Sequence, residues 1–190
     1  MFAEVLIVSL VVGFILKGKL SNLKNVDISH IELVFIAYAL ETALVLLIRN
    51  DILHNQIIKY ALHLLMYIIL LVFVYLNKKF YEVLIIGSGF LLNMIAIFFN
   101  GGVMPVSEAV AVKMGLGDII KNISSYGLYK LVDGNTVFAF LCDVIPRPYP
   151  RPLVISIGDI VIAVGLFLLV LKLMGNKNIF KLRTSHSKPL

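Results

Sequence analysis

Five stretches of this chain are almost continuously apolar, and polar residues are confined mainly to the segments between them. The blocks run over 2–16, 31–48, 52–76, 80–99 and 153–174. A helix needs about 20 apolar residues to cross roughly 30 Å of hydrocarbon. Blocks two to five meet that length, and block one reaches it once its flanks are counted, with Lys17 extending its amine to the interface. Block one has a second reading as a helix lying in the interface. The pattern therefore predicts an all-α integral membrane bundle of five transmembrane helices, a single membrane domain over 1–190. A 53-residue connection, 100–152, links helices four and five, too long for a structureless link. Pro105 and Ser107-Glu108 predict a short helix over Ser107–Leu116, ending at Gly117. Asp118 then caps a second helix over Ile119–Ser124. The run Pro146-Arg147-Pro148-Tyr149-Pro150-Arg151-Pro152 predicts an extended polyproline strap leading straight into the fifth helix.

Composition agrees with a bilayer solvent. Of 190 residues 60% are hydrophobic and 15% charged, where a soluble domain carries about a quarter charged. The net charge of +6 lies in loops and tail, so it is a topology signal and not a nucleic-acid footprint. Lys17, Lys19, Lys24, Lys78, Lys79, Lys172, Lys177, Lys181, Arg183 and Lys188 flank one side of the blocks. The short connection between blocks two and three offers Arg49 alone. The positive-inside rule then puts the tail 175–190 in the cytoplasm and the N-terminus and loop 100–152 outside. No signal-peptide cleavage pattern precedes the first block. The lone Cys142 excludes an intramolecular disulfide. Abundant Ile, Leu, Lys and Asn point to an AT-rich bacterial source and hence a bacterial inner membrane.

Ionisable and amide side chains inside a span are costly and are functional candidates by default. Glu41, His63, Asn93 and Asp159 are of this kind. Counted from Leu153, Asp159 lies about 9 Å below the outer surface at 1.5 Å per residue. Each has a plainer reading as well. Glu41 and His63 can pair with each other or with backbone, Asn93 can join two helices, and Ser156 with Asp159 can form a helix N-cap. Asn100-Gly101-Gly102 can be a C-cap and turn. Asp143 precedes the proline run and Asp159 follows it, so the topology brings both to the outer boundary. Two carboxylates sharing a dry site cannot both ionise easily, and one pKa rises. Such a pair can activate water while protonating a substrate oxygen.

The motifs Asn100-Gly101-Gly102-Val103-Met104-Pro105-Val106-Ser107, Cys142-Asp143-Val144-Ile145-Pro146 and Ser156-Ile157-Gly158-Asp159 resemble an uncharacterised family of five-span bacterial membrane proteins, mainly from Firmicutes. Cys142 stands where that family usually has glycine. The last third is also similar to signal peptidase II. Gly87-Ser88-Gly89-Phe90-Leu91-Leu92-Asn93 corresponds to its asparagine motif, and Asp143 and Gly158-Asp159 to its two aspartate motifs. Ser156 replaces the asparagine expected before the second aspartate, and Ala96-Ile97 stands in place of an Asp-Arg pair. That enzyme has four spans and no counterpart of the segment between Asn93 and Asp143. The resemblance implies Asp143 and Asp159 as a catalytic dyad with Asn93 orienting it. Asn100, Gly101, Gly102, Ser156, Glu41 and His63 are candidate binding residues. No metal or cofactor is expected. The expected partners are membrane lipid and a peptide or lipid-linked substrate at the outer leaflet. The alternative is a non-enzymatic ligand- or ion-binding protein, or a subunit of a membrane complex.

Overall fold

The structure, a computed structural model, describes residues 1–25, 28–121, 123 and 127–175. It is mostly helical. Helices α1 (Phe2–Ile15), α2 (Glu32–Arg49), α3 (Gln56–Leu76), α4 (Tyr81–Phe98) and α7 (Ile157–Leu173) form the bundle. Between α4 and α7 lie β1 (Met104–Val106), α5 (Glu108–Lys113), α6 (Gly117–Lys121), β2 (Tyr129–Leu131), β3 (Ile145–Arg147) and β4 (Leu153–Ile155). α3 and α4 are long and apolar enough, by length and composition, to cross a membrane, which supports membrane association. Large apolar side chains such as Phe35, Ile57, Tyr75 and Val164 stand exposed on the outer faces of the bundle helices.

Neighbouring helices pack in the order α2–α3–α4–α7–α1. The closest seam is α4 against α7, which run antiparallel. Gly89 lies against the Gly158 carbonyl, and Gly165 against Ile86 and the Glu82 carbonyl. Without side chains at these glycines the two backbones approach closely. At one pole the connections bond to one another. Lys19 N donates to Met174 O at 3.0 Å, and buried Asn77 takes Ser29 N and donates to Ser29 O, both at 2.8 Å. Lys172 meets Glu82, which is 2% exposed, at 2.7 Å at the same pole. The segment 100–156 covers the other pole. Its Met104, Leu141 and Cys142 pack with Ala37, Met66, Tyr67, Ala96 and Ile97 of the helices, so cap and bundle share one core.

Several expected element bounds are corrected, most of them in the cap. The proline run is not a strap. β3 and β4 pair antiparallel, Ile145 with Ile155 and Arg147 with Leu153, and 148–152 is the connection of a hairpin. Pro146 is tolerated because β3 pairs on one side only, so its missing N–H breaks no second ladder. The fifth helix consequently starts at Ile157 and not at 153. Asp159 is therefore in its first turn, nearer the boundary than the count from Leu153 gives. The third helix likewise begins at Gln56, with Asn55 accepting from Ile57 N and Ile58 N. Ser107 caps α5 as expected, but the helix stops at Lys113, followed by Gly115 at φ 74°. α6 starts at Gly117, with Asp118 in its first turn rather than as its cap. Residues 122 and 124 and the tail from 176 lie outside the described residues.

Candidate functional site

Ser156 opens α7 with a reciprocal capping box. Asp159 N donates to Ser156 Oγ at 2.9 Å, and Ser156 N donates to Asp159 Oδ2 at 3.3 Å. Both orphan amides are satisfied and the carboxylate complements the helix's positive end. Asn93 of α4 joins this cap from across the glycine seam. Its Nδ2 donates to Asp159 Oδ1 at 3.0 Å, and its Oδ1 accepts from Ser156 Oγ at 2.8 Å. The packing is tight enough that a Cβ at Gly158 would collide with Asn93 Oδ1. Asn93 therefore serves both as helix–helix glue and as the group that fixes Asp159.

Asp143 arrives from the cap. Its N–H donates to Pro105 O at 3.0 Å, and its carbonyl accepts from Ser107 N at 2.9 Å, so it lies parallel to β1 beside Val106. Its side chain is 8% exposed, and its Oδ1 has no hydrogen-bond partner among the described residues. Burial, reinforced by the Asp159 charge, pushes its pKa up to about 8. An acid so placed is largely protonated at neutral pH and can donate. Burial, with the Asp143 charge, likewise raises the Cys142 thiol.

Both aspartates line one cleft of about 580 Å³. Asn93, Glu41, His63 and Tyr67 face the same space. Below them the lining is apolar, from Phe73 to Leu166 and Leu169. The cleft lies inside the curl of the helix row, lined on one side by α2 and on the other by α7.

The remaining candidates fall into two groups. His63 does not bond to Glu41; its Nδ1 donates to Gly102 O at 2.9 Å, which leaves Nε2 as the acceptor nitrogen. Gly102 at φ 84° lies against the Tyr60 ring, so this glycine turns the chain where a side chain would clash. Gly101, also at positive φ, has nothing within 4 Å of where a Cβ would lie among the described residues and acts as a turn residue. Asn100 has its amide fully engaged. Nδ2 donates to Ala96 O at 2.7 Å and Val137 O at 2.8 Å, and Oδ1 accepts from Val137 N at 3.0 Å. It fastens the cap to the end of α4 rather than presenting a free amide to the cleft. Asn100→Ala removes its two bonds to the backbone of Val137, a residue 41% exposed, and its bond to Ala96 O, at about 0.5–1.5 kcal/mol each. The expected result is a loss of about 2–3 kcal/mol in chemical unfolding, with faster proteolysis of the cap; unchanged stability would contradict this role.

Residue-by-residue reading missed the cleft residues Tyr67 and Tyr129. Tyr67 follows His63 by four positions and therefore shares its helix face, a signal available in the sequence. Tyr129 is 40% exposed overall, but desolvation of its hydroxyl and nearby carboxylates raise that group above its ordinary range, and its place in the cleft follows only from the pairing of β2 with β1. No group of three or more His, Cys, Asp or Glu suited to a metal occurs among the described residues. No curated protein and no solved structure matches the chain. A family model does match, over residues 25–171, more than three quarters of the chain. The chain belongs to that family, a family of unknown function designated DUF5317.

Proposed function

We propose that this protein is a five-span bacterial cell-membrane hydrolase of the aspartyl type, cleaving a peptide or lipid-linked substrate at the outer leaflet. The observation that carries the reading is that Asp143 and Asp159 line one cleft, polar at the capped pole and apolar below, in which the Asp159 charge acts on Asp143. The short connections with Lys17, Lys19, Lys78 and Lys79 lie at the opposite pole. Under the positive-inside rule that pole is cytoplasmic, and the N-terminus and cap are outside. The similarity to signal peptidase II around Asn93, Asp143 and Asp159 points the same way.

In this mechanism Asp159 is the base. The N–H groups of Asn93 and Ser156 donate to its two carboxylate oxygens and fix their orientation. A water attacks the scissile carbonyl carbon and gives its proton to Asp159, while the Asp143 proton passes to the carbonyl oxygen. On collapse the leaving group takes the proton from Asp159, and the carbonyl returns the other to Asp143. Asn93 orients the base, and Ser156 holds Asn93 through its Oδ1.

The test compares complementation of a deletion strain by wild type, Asp143→Asn and Asp159→Asn, with membrane peptides and lipids profiled by mass spectrometry. Both variants should reach the membrane, fail to complement, and accumulate the same uncleaved species. Asp133→Asn, on the exposed surface, should behave as wild type. Full complementation by both dyad variants would sink the reading. A ligand-binding protein without turnover is the second reading, favoured by the commitment of Asp159 to its own helix cap. In that case no precursor accumulates.

A further inference from the structure

The face of α4 turned away from the cleft is an exposed stripe. Ile86, Phe90, Asn93 and Ile97 line the cleft. Tyr81, Leu84, Ser88, Leu91 and Phe99 stand exposed on the opposite side, at spacings that keep them on one helix face. In the five-span topology that face meets lipid. Phe99 lies about 12 Å along the axis from Leu91, at 1.5 Å per residue. Leu91 is near the middle of the helix, so in hydrocarbon about 30 Å thick the Phe99 ring reaches the outer boundary.

The cap adds two rings at the same level. Phe138 packs edge-on against Phe99, ring centroids 5.3 Å apart, and Phe140 against Phe138 at 6.3 Å. All three stay exposed, at 62%, 40% and 63% for Phe99, Phe138 and Phe140. No polar side chain interrupts Val137-Phe138-Ala139-Phe140-Leu141. The turn is held against local preference: Phe138 has φ 51° and ψ 45°, the left-handed region that a residue with a Cβ rarely adopts. Asn100 pins Val137 to the end of α4 on one side, and Leu141 and Cys142 enter the shared core on the other. An exposed apolar patch marks a surface that something covers. This one continues the lipid-facing stripe of a helix long and apolar enough to span, so the same lipid continues over it.

We infer that Phe99, Phe138 and Phe140 form a knuckle inserted in the outer leaflet where headgroups meet acyl chains, so that the cap is seated in the bilayer and not held above it. Phenylalanine has no polar end to keep in water and suits the acyl side of that boundary. The inference rests on the membrane reading and not on the dyad chemistry. Its consequence for the site is one of depth. Asp143 follows Phe140 by three residues, through buried Leu141 and Cys142, so the knuckle sets the level at which this carboxyl meets a substrate.

The chain contains no tryptophan, so a single introduced one reports its own surroundings. Phe140→Trp and, as a second position should that variant not fold, Phe99→Trp are reconstituted in phosphatidylcholine vesicles brominated near the headgroup end or near the methyl end of the acyl chain. The knuckle tryptophan should lose emission to both lipids, more to the shallow bromine, and equally when the protein is diluted with lipid. Leu91→Trp, in the middle of the stripe, should lose more to the deep bromine. Quenching of the knuckle by aqueous iodide and by neither lipid, with Leu91→Trp still quenched from within the bilayer, would overturn the inference and leave the topology standing. Stronger quenching of the knuckle by the deep bromine would overturn the boundary placement. Lipid quenching that appears only on dilution would show a second copy as the occupant and would also overturn it. A Leu91→Trp protein that neither lipid quenches would instead refute the topology. Adding Asp143→Asn should leave the pattern unchanged, so failure of the hydrolase reading does not touch this result.

Discussion

Asp143→Asn is expected to lower turnover by about 10²–10⁴-fold, the usual worth of a general acid, and to make the protein more stable than wild type at alkaline pH. The two effects share one cause. Asp143 sits near pKa 8 in the fold against an ordinary value of 3.8, so the folded state holds a proton that the unfolded chain releases. Between about pH 4 and pH 8 the unfolded chain binds fewer protons, and stability falls as pH rises. At about 1.4 kcal/mol per pH unit the loss across that window is a few kcal/mol. Asparagine keeps the shape and is neutral throughout, so the term vanishes. The difference between wild-type and variant unfolding curves, taken from pH 4 to pH 9 in one detergent, isolates this group. Parallel curves would show that Asp143 is not held protonated by its site, and the acid role would go with it.

Gly89→Val is expected to cost about 3 kcal/mol or more, at or beyond the upper end of overpacking effects. A Cβ at this position would lie 2.6 Å from Gly158 O and 2.9 Å from Ile162 N. Both are backbone atoms of α7, so no rotamer change relieves the clash and the helices must separate. Separation also pulls Asn93 from Asp159 and Ser156, so activity should fall with stability. Ser88→Val, next along the same helix and exposed, should change stability by no more than about 0.5 kcal/mol. Thermal unfolding of the two variants together decides it. A Gly89→Val protein melting with wild type would mean that α4 and α7 do not meet at this seam.

How much of this was legible in the sequence depended on the range of the forces involved. The apolar blocks can be read directly, because hydrocarbon tolerates few polar groups over a full helix length. The Ser156–Asp159 cap is equally local, as a three-residue spacing with its own hydrogen bonds. The expected orientation rests on the short connections only, since the cap itself carries Lys113, Lys121, Lys130, Arg147 and Arg151. The hairpin was not legible: four prolines in seven residues favour an extended chain, and pairing with Leu153–Ile155 depends on what the cap packs against. The sequence leaves His63 to pair with Glu41 or with backbone; the backbone partner is the one found, but nothing local identifies it as Gly102 O, 39 residues on. Asn100 carried a motif but no indication that its amide would serve Val137, 37 residues on.

The helix order has a consequence for how the chain is made. The first helix finds its principal partner only in the last one, α7, which begins more than 140 residues later. At roughly 5–20 residues per second of synthesis, α1 waits on the order of ten seconds before α7 exists to cover Gly13. The α1–α7 packing therefore forms only once α7 has left the ribosome, which makes α7 the step that commits assembly.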